Sequence, residues 1–145
     1  NIFADAEAAH ICFTSGRPIT MIGLDVTRKV LCYPEIVARM EEVGNKASDL
    51  FVRLMGHFCK TQKEIFGWDG APLHDPVTIA SLIDPGLVTT KPMNAQIELR
   101  SEQSYGRTNC DFFNYRKLPP TADVAIDIDP GRFWDIFEEG LKNYG

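Results

Sequence analysis

No stretch of these 145 residues is apolar for long enough to cross a bilayer, and no basic segment followed by an apolar one opens the chain. A membrane partner and a secretory route are therefore not expected. Positive charge is also scarce: 15 Lys and Arg stand against 20 Asp and Glu, a net charge of −5. A nucleic-acid binder would normally show a basic stripe, so that class is set aside. Cysteine is sparse and scattered. Cys12, Cys32, Cys59 and Cys110 form no C-x-x-C pair, which argues against a zinc site or a disulfide framework and fits a reducing cytoplasm. Repeats, low-complexity tracts and linkers are missing too, and the length suits one compact domain. The chain opens at Asn1 rather than Met and runs at once into a helix start, so we expect a cut, a missing segment or a maturation site there.

What is present alternates between helical and strand patterns. Asp5 is a good N-cap for a helix over 6–15, which Gly16 stops. Residues 18–24 (PITMIGL) are short, apolar and partly β-branched, a pattern that predicts a strand buried on both faces and internal to its sheet. Pro34 opens a helix to about Val43, and a long helix is predicted over 46–66, with Ala47, Leu50, Phe51, Leu54 and Phe58 on its apolar face. GWDGAPL (67–73) is a loop by its Gly and Pro content. Asp75-Pro76 starts a helix through Ile83, and strands follow over 95–99, 107–112 and 124–128. Asp129-Pro130 caps a last amphipathic helix. This order is that of an α/β protein.

Sites in α/β proteins gather where strands end and helices begin. Two such places stand out: Asp25-Val26-Thr27 after the first strand, and the adjacent imidazole and carboxylate of His74-Asp75. Each has an ordinary structural reading as well. Asp before Pro is a common helix cap, and a single histidine is more often packed or solvated than catalytic. His10 and His57 fall inside helices, with packing the default for His57, while Met21, Met40 and Met55 read as core.

Longer blocks carry a resemblance. NIFADAEAAHICFTSGRPITMIGLDVT (1–27) resembles the central signature of the nucleoside hydrolases, in which an E-F-N triplet leads into a D-x-E-A-A helix and a strand ends in G-L-D-V-T. Here only the N of the triplet is present, as Asn1. GAPLHDPVTIASLIDP (70–85) is similar to that family's H-D segment, and YGRTNCD (105–111) to a strand near its C-terminus. The similarity covers nearly the whole chain and looks most like the bacterial pyrimidine-preferring branch.

The resemblance implies the C-terminal half of an open, mainly parallel, Rossmann-like sheet flanked by helices, with residues 1–145 forming the C-terminal part of one domain. It implies hydrolysis of the N-glycosidic bond of ribonucleosides through an oxocarbenium-like transition state, using Ca²⁺ and an activated water. Asp75 would be a Ca²⁺ ligand near the ribose hydroxyls, His74 would lie beside the base and protonate it as it leaves, and Asn1 would hydrogen-bond the ribose. Gln62 and Phe66 are the nearest candidates for contacts with the base, by hydrogen bond and by stacking. The family's D-x-D-x-x-x-D-D motif, which supplies the water-activating Asp and most metal ligands, has no match here. It is expected in an N-terminal segment of the same protein, as is assembly into a homo-oligomer. The isolated chain is then expected to be inactive. The competing readings are a non-enzymatic nucleoside- or sugar-binding descendant of the fold, and a different sugar- or nucleotide-processing α/β enzyme.

Overall fold

The computed structural model describes residues 1–144. The chain forms two compact units, one built from Asn1–Gly23 with Thr90–Ile126, the other from Leu24–Thr89 with the segment from Asp127 onward.

In the first unit a single 3-10 turn, Ile2–Ala4, precedes helix α1 (Ala6–Thr14). Asp5 caps α1 as expected, its carboxylate accepting the Ala8 N–H at 2.9 Å. Ala6 and Phe13 on α1 pack with Met93, Ala95, Ile97, Ala122 and Val124 into one apolar cluster. Strand β1 (Thr20–Met21) runs parallel to the strand Ala122–Ile128, with Thr20 opposite Asp123. Ala95–Ile97 and Thr108–Cys110 form a separate antiparallel pair. The turn before the second of these strands carries Gly106 at φ 75°, where an added Cβ would stand 2.7 Å from the Phe3 Cα. Left-handed backbone and close chain approach both require glycine there.

The second unit begins with a single helical turn, α2 (Leu24–Thr27). Strand β2 (Leu31–Cys32) leads to α3 (Pro34–Glu41) and the long α4 (Lys46–Phe66). A reciprocal capping box between Asn45 and Ser48 starts α4, and Gly67 at φ 72° ends it. Strand β3 (Ala71–Pro72) returns antiparallel to β2, pairing Cys32 with Ala71. Helix α5 (Asp75–Ile83) follows directly. After β4 (Val88–Met93), β5 (Ala95–Ile97), β6 (Thr108–Cys110) and β7 (Ala122–Ile128), the chain closes on α6 (Pro130–Lys142), capped by Asp129. Phe51 meets Phe137 with ring centroids 4.9 Å apart, and Arg39 reaches Asp135 at 2.7 Å and Glu138 at 2.6 Å.

The α/β class stands, with one sheet ordered β1-β7-β4 and two separate antiparallel pairs, β2-β3 and β5-β6. Several local expectations need correction. Residues 18–24 do not make one long buried strand: β1 is two residues at an edge of the described sheet, and Thr20 is exposed. The chain leaves the strand early because Leu24 already begins α2. The apolar face of α4 is also rotated from the expected one. Ser48, Phe51 and Met55 are buried, whereas Leu50 and Leu54 are more than half exposed, at 53% and 60%. His57 is exposed rather than packed.

Candidate active site

The loop between β3 and α5 sets the position of the imidazole and carboxylate. Gly70 permits the β2–β3 pairing, since an added Cβ would lie 2.9 Å from the Tyr33 ring. Leu73 then donates its N–H to the Val30 carbonyl at 3.3 Å, tying the residue before the H-D pair to the residue before β2. His74 is half-buried and Asp75 is exposed, on consecutive residues where the backbone enters α5.

His74 occupies the N-cap position, with no capping hydrogen bond from its side chain, and Asp75 is the first helical residue. Asp75 therefore does not serve as the expected N-cap, and among the described residues no hydrogen bond closes on its carboxylate. At N1 the charge still faces the positive end of α5, but the carboxylate remains available to another partner. His74, by contrast, is held. Its Nδ1 lies 2.7 Å from the Oγ1 of Thr27, a residue only 3% exposed at the end of α2. The two places singled out in the sequence, 25–27 and 74–75, are thus joined by one hydrogen bond. With Nδ1 engaged, Nε2 is the ring nitrogen left for a further partner.

Gln62 is half-buried and Phe66 is 56% exposed, four residues apart on α4 and so on one side of it. Phe66 stacks on Trp68 with centroids 5.0 Å apart and planes inclined by 26°. The Arg28 guanidinium lies over the Trp68 ring at 5.4 Å. Trp68 and Arg28 were not singled out from sequence. Arg28 follows the G-L-D-V-T block directly, which is the one signal that pointed toward it. Asn1 belongs to the first unit, exposed at the start of the Ile2–Ala4 turn, without a capping bond from its side chain.

A groove of about 520 Å³ in the second unit starts at Asp75 and Pro76 and runs between α5 and α6, lined by Ile79, Ile83, Phe137 and Leu141 among others. Its walls are almost wholly hydrocarbon. Ribose hydroxyls need fixed polar partners, so the His74 region suits a nucleoside better despite the groove's size. Among the described residues no group of three or more His, Cys, Asp or Glu is placed to hold a metal ion.

The second unit thus offers a half-buried imidazole with one nitrogen fixed, an adjacent open carboxylate and an aromatic-guanidinium stack. The sequence profile of the inosine-uridine preferring nucleoside hydrolases matches residues 1–135, and the chain belongs to that family. Members of the family are glycosidases that act on N-glycosyl bonds. Among its relatives is the pyrimidine-specific ribonucleoside hydrolase RihB of Shigella flexneri serotype 5b, 43% identical over 99% of this chain and 46% of the relative. RihB of Escherichia coli O17:K52:H18 is likewise 43% identical over the same shares. Among solved structures, a purine-preferring ribonucleoside hydrolase from Gardnerella vaginalis superposes with a TM-score of 0.86 at 34% identity, covering all of this chain and 47% of that one. A plant nucleoside hydrolase, PpNRh1, gives a TM-score of 0.85 at 25% identity, covering 98% of this chain and 46% of that one. The chain thus spans about half the length of the relatives it matches.

Proposed function

We propose that the chain forms one wall of a ribonucleoside N-ribosidase site that releases ribose and a free base, with pyrimidine nucleosides favoured. The observation that carries this reading is the Thr27–His74–Asp75 arrangement, in which a fixed imidazole and an uncapped carboxylate are neighbours in a chain that belongs to the family. His74 Nε2 gives its proton to the departing base. Gln62 offers hydrogen bonds to the base edge, the Phe66–Trp68 stack offers a flat apolar face, and Asn1 binds the ribose. Pyrimidine preference rests on the greater similarity to RihB. The purine-preferring relative superposes closely over this half, and in this proposal side chains such as these contribute to the preference.

Asp75 is one ligand of a Ca²⁺ ion in this proposal. Calcium takes about six to eight oxygens, and the described residues offer no such cluster, so they do not by themselves make a calcium site. The remaining ligands and the water-activating Asp belong to a D-x-D-x-x-x-D-D segment that this chain does not contain. When bound, the ion would hold the ribose diol and a water and promote deprotonation of that water. The cytoplasm is the proposed compartment and a homo-oligomer the proposed assembly. Among the described residues no helix is long and apolar enough to cross a membrane.

The rival reading is a nucleoside- or sugar-binding protein of the same fold without catalysis. Joining the chain to the N-terminal portion of the Shigella RihB and assaying ribose release from uridine, cytidine and inosine separates the two. Turnover with uridine ahead of inosine supports the hydrolase. A folded product that binds uridine without cleaving it favours the rival.

A further inference from the structure

Two of the four cysteines, far apart in sequence, meet in the second unit. Cys32 on β2 is completely buried, and Cys59 on α4 is half-buried. The Cys59 Sγ donates to the Cys32 carbonyl oxygen at 3.4 Å, which brings the Cys59 thiol against the Cys32 residue. Neither residue belongs to the proposed catalytic set.

We propose that Cys32 and Cys59 are an oxidation site, closing to a reversible disulfide that fastens α4 to β2 when the protein meets a peroxide. Cys59 is the sulfur that reacts first, because it is the one reachable from solvent. Burial, with the Cys59 thiol alongside it, pushes the Cys32 thiol up to about 12 and keeps it protonated. The Cys59 thiolate attacks one oxygen of hydrogen peroxide. The O–O bond breaks, leaving Cys59 as a sulfenic acid, and the released hydroxide takes up the proton that Cys59 had lost. The Cys32 sulfur then attacks the sulfenic sulfur: the S–S bond forms, the S–O bond breaks, and the hydroxyl leaves as water with the Cys32 proton. Two thiols and one peroxide thus become a disulfide and two waters, with both electrons passing from sulfur to peroxide. A dithiol reverses the reaction.

The placement gives the link a consequence. Gln62 lies three residues beyond Cys59 and Phe66 seven, both on the side of α4 that Cys59 shares. Cys32 pairs with Ala71 on β3, which leads into His74. The disulfide would pin the proposed base-contacting side of α4 to the strand pair that positions His74. That consequence rests on the proposed function, whereas the oxidation chemistry does not.

The test uses the 145-residue chain, exposed to graded hydrogen peroxide, quenched with an alkylating reagent, digested without reduction and read by mass spectrometry. The expected product is an intramolecular Cys32–Cys59 peptide pair. It should exceed any other pairing by about tenfold or more, because the folded contact raises one thiol's effective concentration at the other. Dithiothreitol should abolish it, Cys59→Ser should prevent it, Cys12→Ser should leave it intact, and urea should spread the links over all four cysteines. In Cys32→Ala, the Cys59 sulfenic acid should accumulate and be trapped by dimedone. Oxidation confined to Cys12 while Cys32 and Cys59 remain alkylatable would overturn the proposal. So would the same distribution of links in native buffer and in urea, or no dimedone adduct on Cys59.

Discussion

Thr27 Oγ1 and His74 Nδ1 lie 2.7 Å apart, joining residues 47 positions apart in sequence through a side chain that is almost fully buried. A hydroxyl can donate to a neutral ring nitrogen or accept from a protonated one, so it can hold the ring in either state.

Thr27→Val keeps the shape and removes this partner. The loss should cost about 0.5–1.5 kcal/mol of stability, read from urea unfolding. It should also free the ring, seen as a change in the His74 imidazole ¹⁵N pattern. Thr27→Ser should retain the native pattern. If Val and Ser behave alike, the hydroxyl does not hold the ring.

Glu138 supplies the pH dependence. Lys142, then Arg39, hold its carboxyl below the usual carboxylate range through hydrogen bonds and charge. A carboxylate whose folded pKa is lowered adds stability above its unfolded value, and that stability is lost as pH falls through the folded one. Glu138→Gln should therefore lower the melting temperature at pH 7, and the gap from the parent should close as pH drops below the ordinary glutamate range. An equal gap at pH 7 and at acid pH would assign the effect to packing instead.

Gly106→Ala should destabilise by more than about 1 kcal/mol, because the new methyl meets both a left-handed backbone and the Phe3 main chain. Gly140→Ala is the control: nothing lies within 4 Å of its added Cβ, and it sits inside α6. Thermal melts of the two should move in opposite directions. A stable Gly106→Ala would contradict the close approach.

Purified Asn1–Gly145 should not hydrolyse uridine or inosine with added Ca²⁺, since the described residues hold no cluster of metal-binding side chains. Chelator-sensitive release of ribose well above background would show that the chain carries more of the machinery than proposed.

Legibility in the sequence followed how local each signal was. Helix α4 was read with its observed bounds because a long helical period runs between the Gly44-Asn45 break and the Gly- and Pro-containing loop that begins at Gly67. Its buried side was not, because apolar residues surround the helix and the period alone selects no single stripe. Strands β2 and β3, two residues each, are too short for any alternation, and β4, at Val88–Met93, contains Pro92 and mixed polar residues. Of the site, the His74-Asp75 pair was legible from its motif. The contact of Thr27 with His74 and that of Arg28 with Trp68 depend on tertiary approach, which no spacing in the sequence encodes.

Asp75 gives the most direct measurement. Its carboxylate caps nothing among the described residues, so Asp75→Asn should leave the metal-free melting temperature almost unchanged, with a stability change of about 0.5 kcal/mol or less. In the chain joined to the RihB N-terminal portion, the same substitution removes a charge and a strong oxygen donor from the proposed Ca²⁺ site. Calcium affinity and uridine turnover should both fall by about 100-fold or more. Near-normal turnover and calcium affinity in Asp75→Asn would contradict the proposed role of this residue and the site built around it.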